Sequence, residues 1–274
     1  LATRAKAVQS KDVTRVFIPD SHGAHIDPAA EAAFLADLKR LAPDEIVMLG
    51  DHLDCGGIFT THSRSYTNEM AESYEDDVAF TNKFLDAIHK AAPKARIWYV
   101  AGNHEFRVEK WATSTFFNKK DADSYLAAMG PAAALKLKTR GIRYIERNEF
   151  MPGCSIPGTL KLTVGGTSVY VTHGLSASAH AAAVHLSKFG ANVVFGHIHR
   201  AVSVHGRSVD KGLFGAWSPG TLARIQPLYM HTNVSQWAHG YGLEVVSKSG
   251  RFIHINVPIV SGESMLAQVS RAIR

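Results

Sequence analysis

The chain of 274 residues is long enough to bury a substantial core, and 46% hydrophobic with 20% charged residues excludes a disordered or fibrous polypeptide. No run approaches the roughly 18 consecutive apolar residues of a membrane span, and the opening LATRAKAVQSKD lacks the apolar core of a secretory signal. Thirty Lys and Arg against 24 Asp and Glu leave a formal charge of +6, a weak pointer to polyanionic partners.

The first strand is expected over residues 14–19, TRVFIP, and it runs into Asp20-Ser21-His22. That ending has two readings. Asp20 caps a helix starting near Pro28, with His22 an ordinary loop residue; or both side chains face one point at the carboxyl end of a strand, where α/β folds place their chemistry. The helix, 28–42, sets Phe34, Leu35, Leu38 and Leu41 on one stripe and stops at Pro43. Next, DEIVML (44–49) reads as a strand buried on both faces and ends in Gly50-Asp51-His52-Leu53-Asp54. A long helix follows at 68–92, then a strand at 95–100 that ends in Gly102-Asn103-His104-Glu105. Residues 105–140 interrupt this alternation with a polar, helical insert; from Glu105 to Arg147 nine Lys or Arg stand against five Asp or Glu. Further strands are expected at 141–146, 161–164, 168–172, 192–196, 242–247 and 252–259, with a helix at 177–190. Strand 168–172 ends on His173 and the next on Gly196-His197-Ile198-His199, while SKSG joins the last two strands as a hairpin. Alternating strands and helices followed by a strand-rich final third predict two packed sheets flanked by helices, in a single domain over 1–274 with the basic insert at about 105–140.

Five apolar strands thus end on Asp, Asn or His. Two divalent ions roughly 3.5–4 Å apart need one carboxylate between them and a mixed nitrogen and oxygen shell around each. Asp51, on the second strand, is the natural bridge; Asp20, His22 and His199 complete one shell, and Asn103, His173 and His197 the other. His197 and His199 are two apart, so in an extended segment both side chains point to the same face. With no cysteine in the set, the expected ions are manganese first, then iron or zinc. Of the fifteen histidines, His25 and His52 lie close enough to support these ligands, His62 and His231 reach a substrate only from loops, and His89, His180 and His185 pack within helices or face solvent. The thiols of Cys55 and Cys154 suit a reducing cytosol. Cys55 reads as a small buried residue rather than a nucleophile. Trp111, Phe116, Phe117 and Tyr125 read as the insert's own core rather than as a stacking surface for bases.

The motifs D-x-H (20–22), G-D-x-x-D (50–54), G-N-H-E (102–105), a lone His173 and G-H-x-H (196–199) resemble those of the calcineurin-like metallophosphoesterase superfamily, in order. The resemblance implies an α/β/β/α four-layer sandwich carrying two metal ions on the seven residues named above. GDHLDCGGIF, GNHEFR, GHIHR and the later PGTLARIQPLYMHTNVSQWAHGYGLEVV further resemble a branch carried by bacteriophages, which implies a cytoplasmic enzyme of a bacterial host. By the resemblance His104 is the general acid at the leaving-group oxygen, with Asp54 or Glu105 orienting it, and a water activated between the ions attacks phosphorus in line. Relatives that act on phosphoproteins carry Arg after the second Asp of G-D-x-x-D; here that residue is Cys55. Arg107 and Arg200 are the candidates for gripping phosphate instead. The expected activity is hydrolysis of a phosphodiester, in DNA, RNA or a nucleotide, with a phosphomonoesterase as the alternative. A chain that kept only the fold, as a non-catalytic binding scaffold, would have no need of seven ligands.

Overall fold

The computed structural model describes residues 12–55, 73–210, 212–226 and 234–272. Strands β1 (Val13–Ile18), β2 (Glu45–Met48), β3 (Arg96–Val100) and β4 (Arg143–Ile145) run parallel in one sheet, joined along its other edge by antiparallel β10 (Gly240–Val246), β11 (Phe252–Val260) and β12 (Glu263–Ser264). The second sheet has the order β5 (Thr159–Val164), β6 (Thr167–Thr172), β7 (Asn192–Phe195), β9 (Gly212–Pro219) and β8 (Ala201–Ser208), with β6, β7 and β9 parallel. Both sheets are therefore mixed.

The two-residue period of a strand explains the layering. On β1, Phe17 points inward with Val47, Leu49 and Trp98 against Leu160, Val171, Val194 and Trp217 of the facing sheet. Its neighbours Val16 and Ile18 point outward and pack on α1 (Pro28–Leu41) and α2 (Tyr74–Ala91) through Phe34, Leu38, Phe84 and Ile88. On the far side Val193 and Phe195 pack on α6 (Ala181–Phe189) through Ala181 and Ala182. The result is the four-layer α/β/β/α sandwich. Between β3 and β4 lie α3 (Asn103–Thr115), α4 (Lys119–Met129) and the short α5 (Pro131–Ala134); α7 (Met265–Ala272) follows β12. Among the described residues no helix is long and apolar enough to cross a membrane.

Several local expectations change. The cap of α1 is Asp27, whose carboxylate accepts from the amides of Ala29 and Ala30, which leaves Asp20 for another task. The helix expected over 68–92 is seen from Tyr74, after the Ser73–Asp76 capping box; its first residues, 68–72, lie outside the described residues. The β8–β9 hairpin and α7 carried no expectation. The SKSG hairpin is present, with β10 and β11 in antiparallel register. In the insert, Trp111, Phe116 and Tyr125 pack ring on ring, whereas Phe117 is fully exposed. The insert's positive charge is partly neutralised: Arg140 pairs with Asp86 of α2 and Arg143 with Glu149.

Candidate metal centre

Loops after five parallel strands, β1, β2 and β3 of one sheet and β6 and β7 of the other, converge at a single edge of the sandwich. Their backbone is bent sharply to do so. His22, Asp51, Cys55, His197 and His199 all have φ between 51° and 72°, a left-handed conformation that side chains with a Cβ rarely adopt. This corrects the extended geometry expected for residues 197–199: the two imidazoles reach different groups because each residue is left-handed, not because the segment is a strand. Close approach of the loops requires glycine at two points. A Cβ on Gly102 would lie 2.0 Å from Asp51 Oδ1, and one on Gly196 would lie 2.6 Å from Asp20 Oδ1.

The seven sequence-derived residues fall into two groups. In the first, His199 Nε2 lies 3.1 Å from Asp20 Oδ2 and 3.1 Å from His22 Nε2. In the second, His173 Nε2 lies 2.9 Å from Asn103 Oδ1, 3.2 Å from His197 Nδ1 and 3.2 Å from Asp51 Oδ2. Asp51 also touches the first group through its backbone, since its carbonyl accepts from the amide of His22 at 3.0 Å. Five of the seven are buried, and His197 and Asn103 are half-buried.

Protonation states make this arrangement informative. His173 Nδ1 faces the carbonyl of Leu49 at 2.9 Å, and a carbonyl only accepts, so Nδ1 carries hydrogen. In a neutral ring Nε2 is then a lone pair, and it faces the Asn103 and Asp51 oxygens and a nitrogen of His197. A lone pair set against two acceptor oxygens, Asn103 Oδ1 and Asp51 Oδ2, calls for positive charge between them, either a proton or a cation. Without a cation the proton takes that place: burial opposes it, but Asp51 and Asp20 outweigh burial and hold the His173 imidazole up at about 9. The same field works in reverse on the carboxylates. Burial opposes ionisation of Asp20, yet His199 and His173 hold it down at about 2. In the first group, His199 Nδ1 is buried with no hydrogen-bond partner. Imidazole nitrogens and carboxylate oxygens that converge within reach of one ion fit a divalent cation in each group.

His104, at the start of α3, lies beside both groups. Its amide donates to Asp51 Oδ1 at 2.8 Å, its Nδ1 sits 2.6 Å from the carbonyl of Asp54 and 3.2 Å from that residue's carboxylate, and its Nε2 lies 3.8 Å from Asp51 Oδ2. Burial disfavours its charged form, but Asp51 and Asp54 override this and raise it to about 9. Asp54 also accepts from His22 Nδ1 at 2.8 Å, so one carboxylate orients two imidazoles.

Glu105 does something else. Its Oε2 accepts from the amides of Asp51 and Gly102, and its Oε1 from those of His52 and Leu53 and from the Tyr99 hydroxyl at 2.6 Å. This fully buried carboxylate holds the loop that carries Asp51; none of its bonds reaches His104. The legible signal was its place as the third helical residue after Gly102, a capping-box position. Arg107 donates to the carbonyl of Asp54 at 3.3 Å and so borders the site, whereas Arg200 turns to the carbonyls of Ser178 and Ala179 beside α6. Among the histidines outside the set, His52 is buried under the loop against Ser21, and His185 stacks on Phe195 as a core residue; His62 and His231 lie outside the described residues. Cys55 is buried, and burial and Asp77 push its thiol up, away from a nucleophilic thiolate. Asp77 itself accepts from the Cys55 amide at 2.8 Å, and burial raises its carboxyl to about 8. Sequence reasoning passed over Trp237, whose ring stands edge-on to His199 with centroids 4.1 Å apart.

A profile described as calcineurin-like phosphoesterase matches residues 14–201. No curated protein sequence matches the chain. Solved structures similar to it include Vps29 of Entamoeba histolytica, 14% identical, covering 92% of this chain and 95% of that one at a TM-score of 0.44. Another is the phosphoesterase YfcE of E. coli, also 14% identical, covering 89% and 98% at a TM-score of 0.39.

Proposed function

The chain belongs to the calcineurin-like phosphoesterase family, and from that premise we propose that it is a two-metal hydrolase of phosphoric esters acting on phosphodiesters. The observation that carries this reading is the pair of convergent donor groups, above all His173 Nε2 set against the Asn103 and Asp51 oxygens. Asp20, His22 and His199 would hold one ion and Asn103, His173 and His197 the other. The Asp51 carboxylate lies in the second group, while its backbone, through the carbonyl that accepts from the His22 amide, borders the first; it would be the ligand shared between the ions. Divalent ions held there would supply neutralisation of phosphoryl oxygens and activation of water. Manganese is the expected metal, with iron or zinc also suited to the nitrogen and oxygen set.

The chain's own residues do the rest. Asp54 fixes the His104 ring by its Nδ1, which leaves Nε2–H of the protonated ring facing the cleft beside Asp51. From there it donates a proton to the departing oxygen. Arg107 is the one arginine of the two candidates that borders this cleft. A monoester dianion requires more positive charge around its free oxygens than a diester monoanion does, and Cys55 stands where a gripping arginine would supply it; this favours the diester. Nucleotide or nucleic-acid diesters, in the cytoplasm, remain the reading for the natural substrate, supported by the exposed Lys136 and Lys138 rather than by the ion-paired Arg140 and Arg143. The test is parallel turnover of bis(nitrophenyl) phosphate and nitrophenyl phosphate with manganese and with chelator. Metal-dependent cleavage of the diester at the higher kcat/KM is expected. Preference for the monoester overturns the diester assignment, and two bound ions with neither substrate cleaved indicate a binding scaffold.

A further inference from the structure

A metal-binding imidazole has two nitrogens, and the one turned away from the ion ordinarily donates to an oxygen that fixes the ring. His173 follows this rule through the Leu49 carbonyl, and His22 through the Asp54 carboxylate. His199 does not. Its Nε2 faces Asp20 and His22 at 3.1 Å, while its Nδ1 is buried with no hydrogen-bond partner among the described residues. Only packing then opposes rotation of the ring about its Cβ–Cγ bond, and a flip would set a carbon where Nε2 now stands. Trp237 supplies packing at that point. Its half-buried ring stands edge-on to His199 with centroids 4.1 Å apart, an arrangement aromatic pairs favour.

The indole is itself placed by the backbone around it. The Ala238 amide donates to the His199 carbonyl at 3.0 Å, and the Ala238 carbonyl accepts from the Thr221 amide at 2.9 Å. The Thr221 hydroxyl and the Leu222 amide both donate to the Asp20 carbonyl at 2.8 Å. The Trp237 amide donates to the Ser235 hydroxyl at 2.9 Å. These residues form a strap tied to Asp20 on one side and to His199 on the other. None of its bonds reaches Asn103, His173 or His197, so the strap braces the first donor group. We propose that Trp237 is a positioning residue for His199: its ring does by contact what a hydrogen bond does for His22 and His173, and so sets the affinity of the first group for its ion. This rests on the reading that Asp20, His22 and His199 hold one of two ions. An indole that merely filled space in the fold would affect both ions or neither; one that acts through His199 affects one.

Manganese titrated into the metal-free full chain, with binding read by calorimetry, gives the number of ions and the affinity of each. The parent should bind two. Trp237→Ala should weaken one of them by about 10- to 100-fold, the usual worth of a group that orients a metal ligand, and leave the other at the parent's affinity. Retention of that other ion shows that the variant folds. Trp237→Phe keeps a planar ring and drops the indole N–H, and it should restore the weakened ion to near the parent's affinity. Should the Ala variant not fold, Trp237→Leu, which fills much of the same space without a planar ring, takes its place and should show the same selective loss. Two ions of unchanged affinity in the Ala or Leu variant, equal weakening of both, or a Phe variant as weak as these overturns the proposal while the two-metal reading stands. A parent that binds no manganese overturns that reading, and the proposal with it.

Discussion

Replacing Glu105 by Gln separates a structural carboxylate from a catalytic one. The parent side chain accepts five hydrogen bonds, three at Oε1 and two at Oε2. The amide keeps one oxygen, and its best orientation leaves that oxygen with His52, Leu53 and Tyr99. Its NH2 group then faces the amides of Asp51 and Gly102, donor against donor. Two buried amides lose their acceptor at about 1–3 kcal/mol each, a total of about 2–6 kcal/mol. Against a typical total of about 5–15 kcal/mol for a domain, that is a large fraction. Urea unfolding in excess chelator is the appropriate assay, because it removes any contribution from bound ions. The midpoint should fall strongly in Glu105→Gln under those conditions, while Asp54→Asn, whose side chain is partly exposed and holds only imidazoles, should change it far less. A Gln variant with the parent's midpoint in chelator and a depressed turnover would refute the structural reading and restore Glu105 as an orienting group for His104.

Four further outcomes follow from the same geometry. His104→Ala should retain both ions by elemental analysis and lose roughly 10²–10⁴-fold in rate on alkyl leaving groups, with a smaller loss on nitrophenolate, which departs without a proton. Asp51→Asn should reduce bound metal to one ion or none and abolish turnover; full occupancy with normal rate would remove Asp51 from the centre. Asp77 holds a proton in the folded chain up to about pH 8 that an unfolded carboxyl, with its ordinary value of 3.8, releases far earlier. Stability should therefore fall as pH rises between these values, by up to about 1.4 kcal/mol per unit, and the difference between parent and Asp77→Asn in unfolding free energy should trace that slope. If nucleic acid is the substrate, Lys136→Glu with Lys138→Glu should lower the salt dependence of DNA binding by about 0.7–0.9 in log–log slope per lost contact; an unchanged slope points to small diesters.

The strands and their chemistry were legible because each group of polar residues directly follows an apolar run, and a parallel sheet brings such ends to one edge. What the pattern does not reveal is the angle at which a chain leaves its strand. Nothing in the letters of His197 or His199 marks a positive φ, which glycine would have advertised, so their reach to separate groups was given the wrong mechanism. The β8–β9 hairpin escaped because AVSVHGRS alternates exposed and half-covered positions, the habit of a strand at a sheet edge, with too little apolar content to stand out from a loop. Glu105 was expected to orient His104, a hydrogen bond the structure does not contain, since a motif position beside a candidate histidine invites a chemical role while a capping box is the commoner physics. That Arg140 is ion-paired could not be read for a related reason: Asp86 lies 54 residues from it, and their ion pair exists only after folding.

Each donor group draws members from both sheets. Asp20 and His22 follow β1 while His199 follows β7; Asp51 follows β2 while His173 and His197 follow β6 and β7. Asp20 and His199 are 179 positions apart. An ion held in either group is therefore a crosslink between layers that otherwise adhere by side-chain packing. Such a crosslink cannot guide the chain toward its fold, because neither group exists until the sheets have docked, a late event for contacts of this sequence separation. It acts on the way out instead: the seam cannot open without surrendering an ion, so occupancy lengthens the lifetime of the native state while leaving the speed of its formation alone.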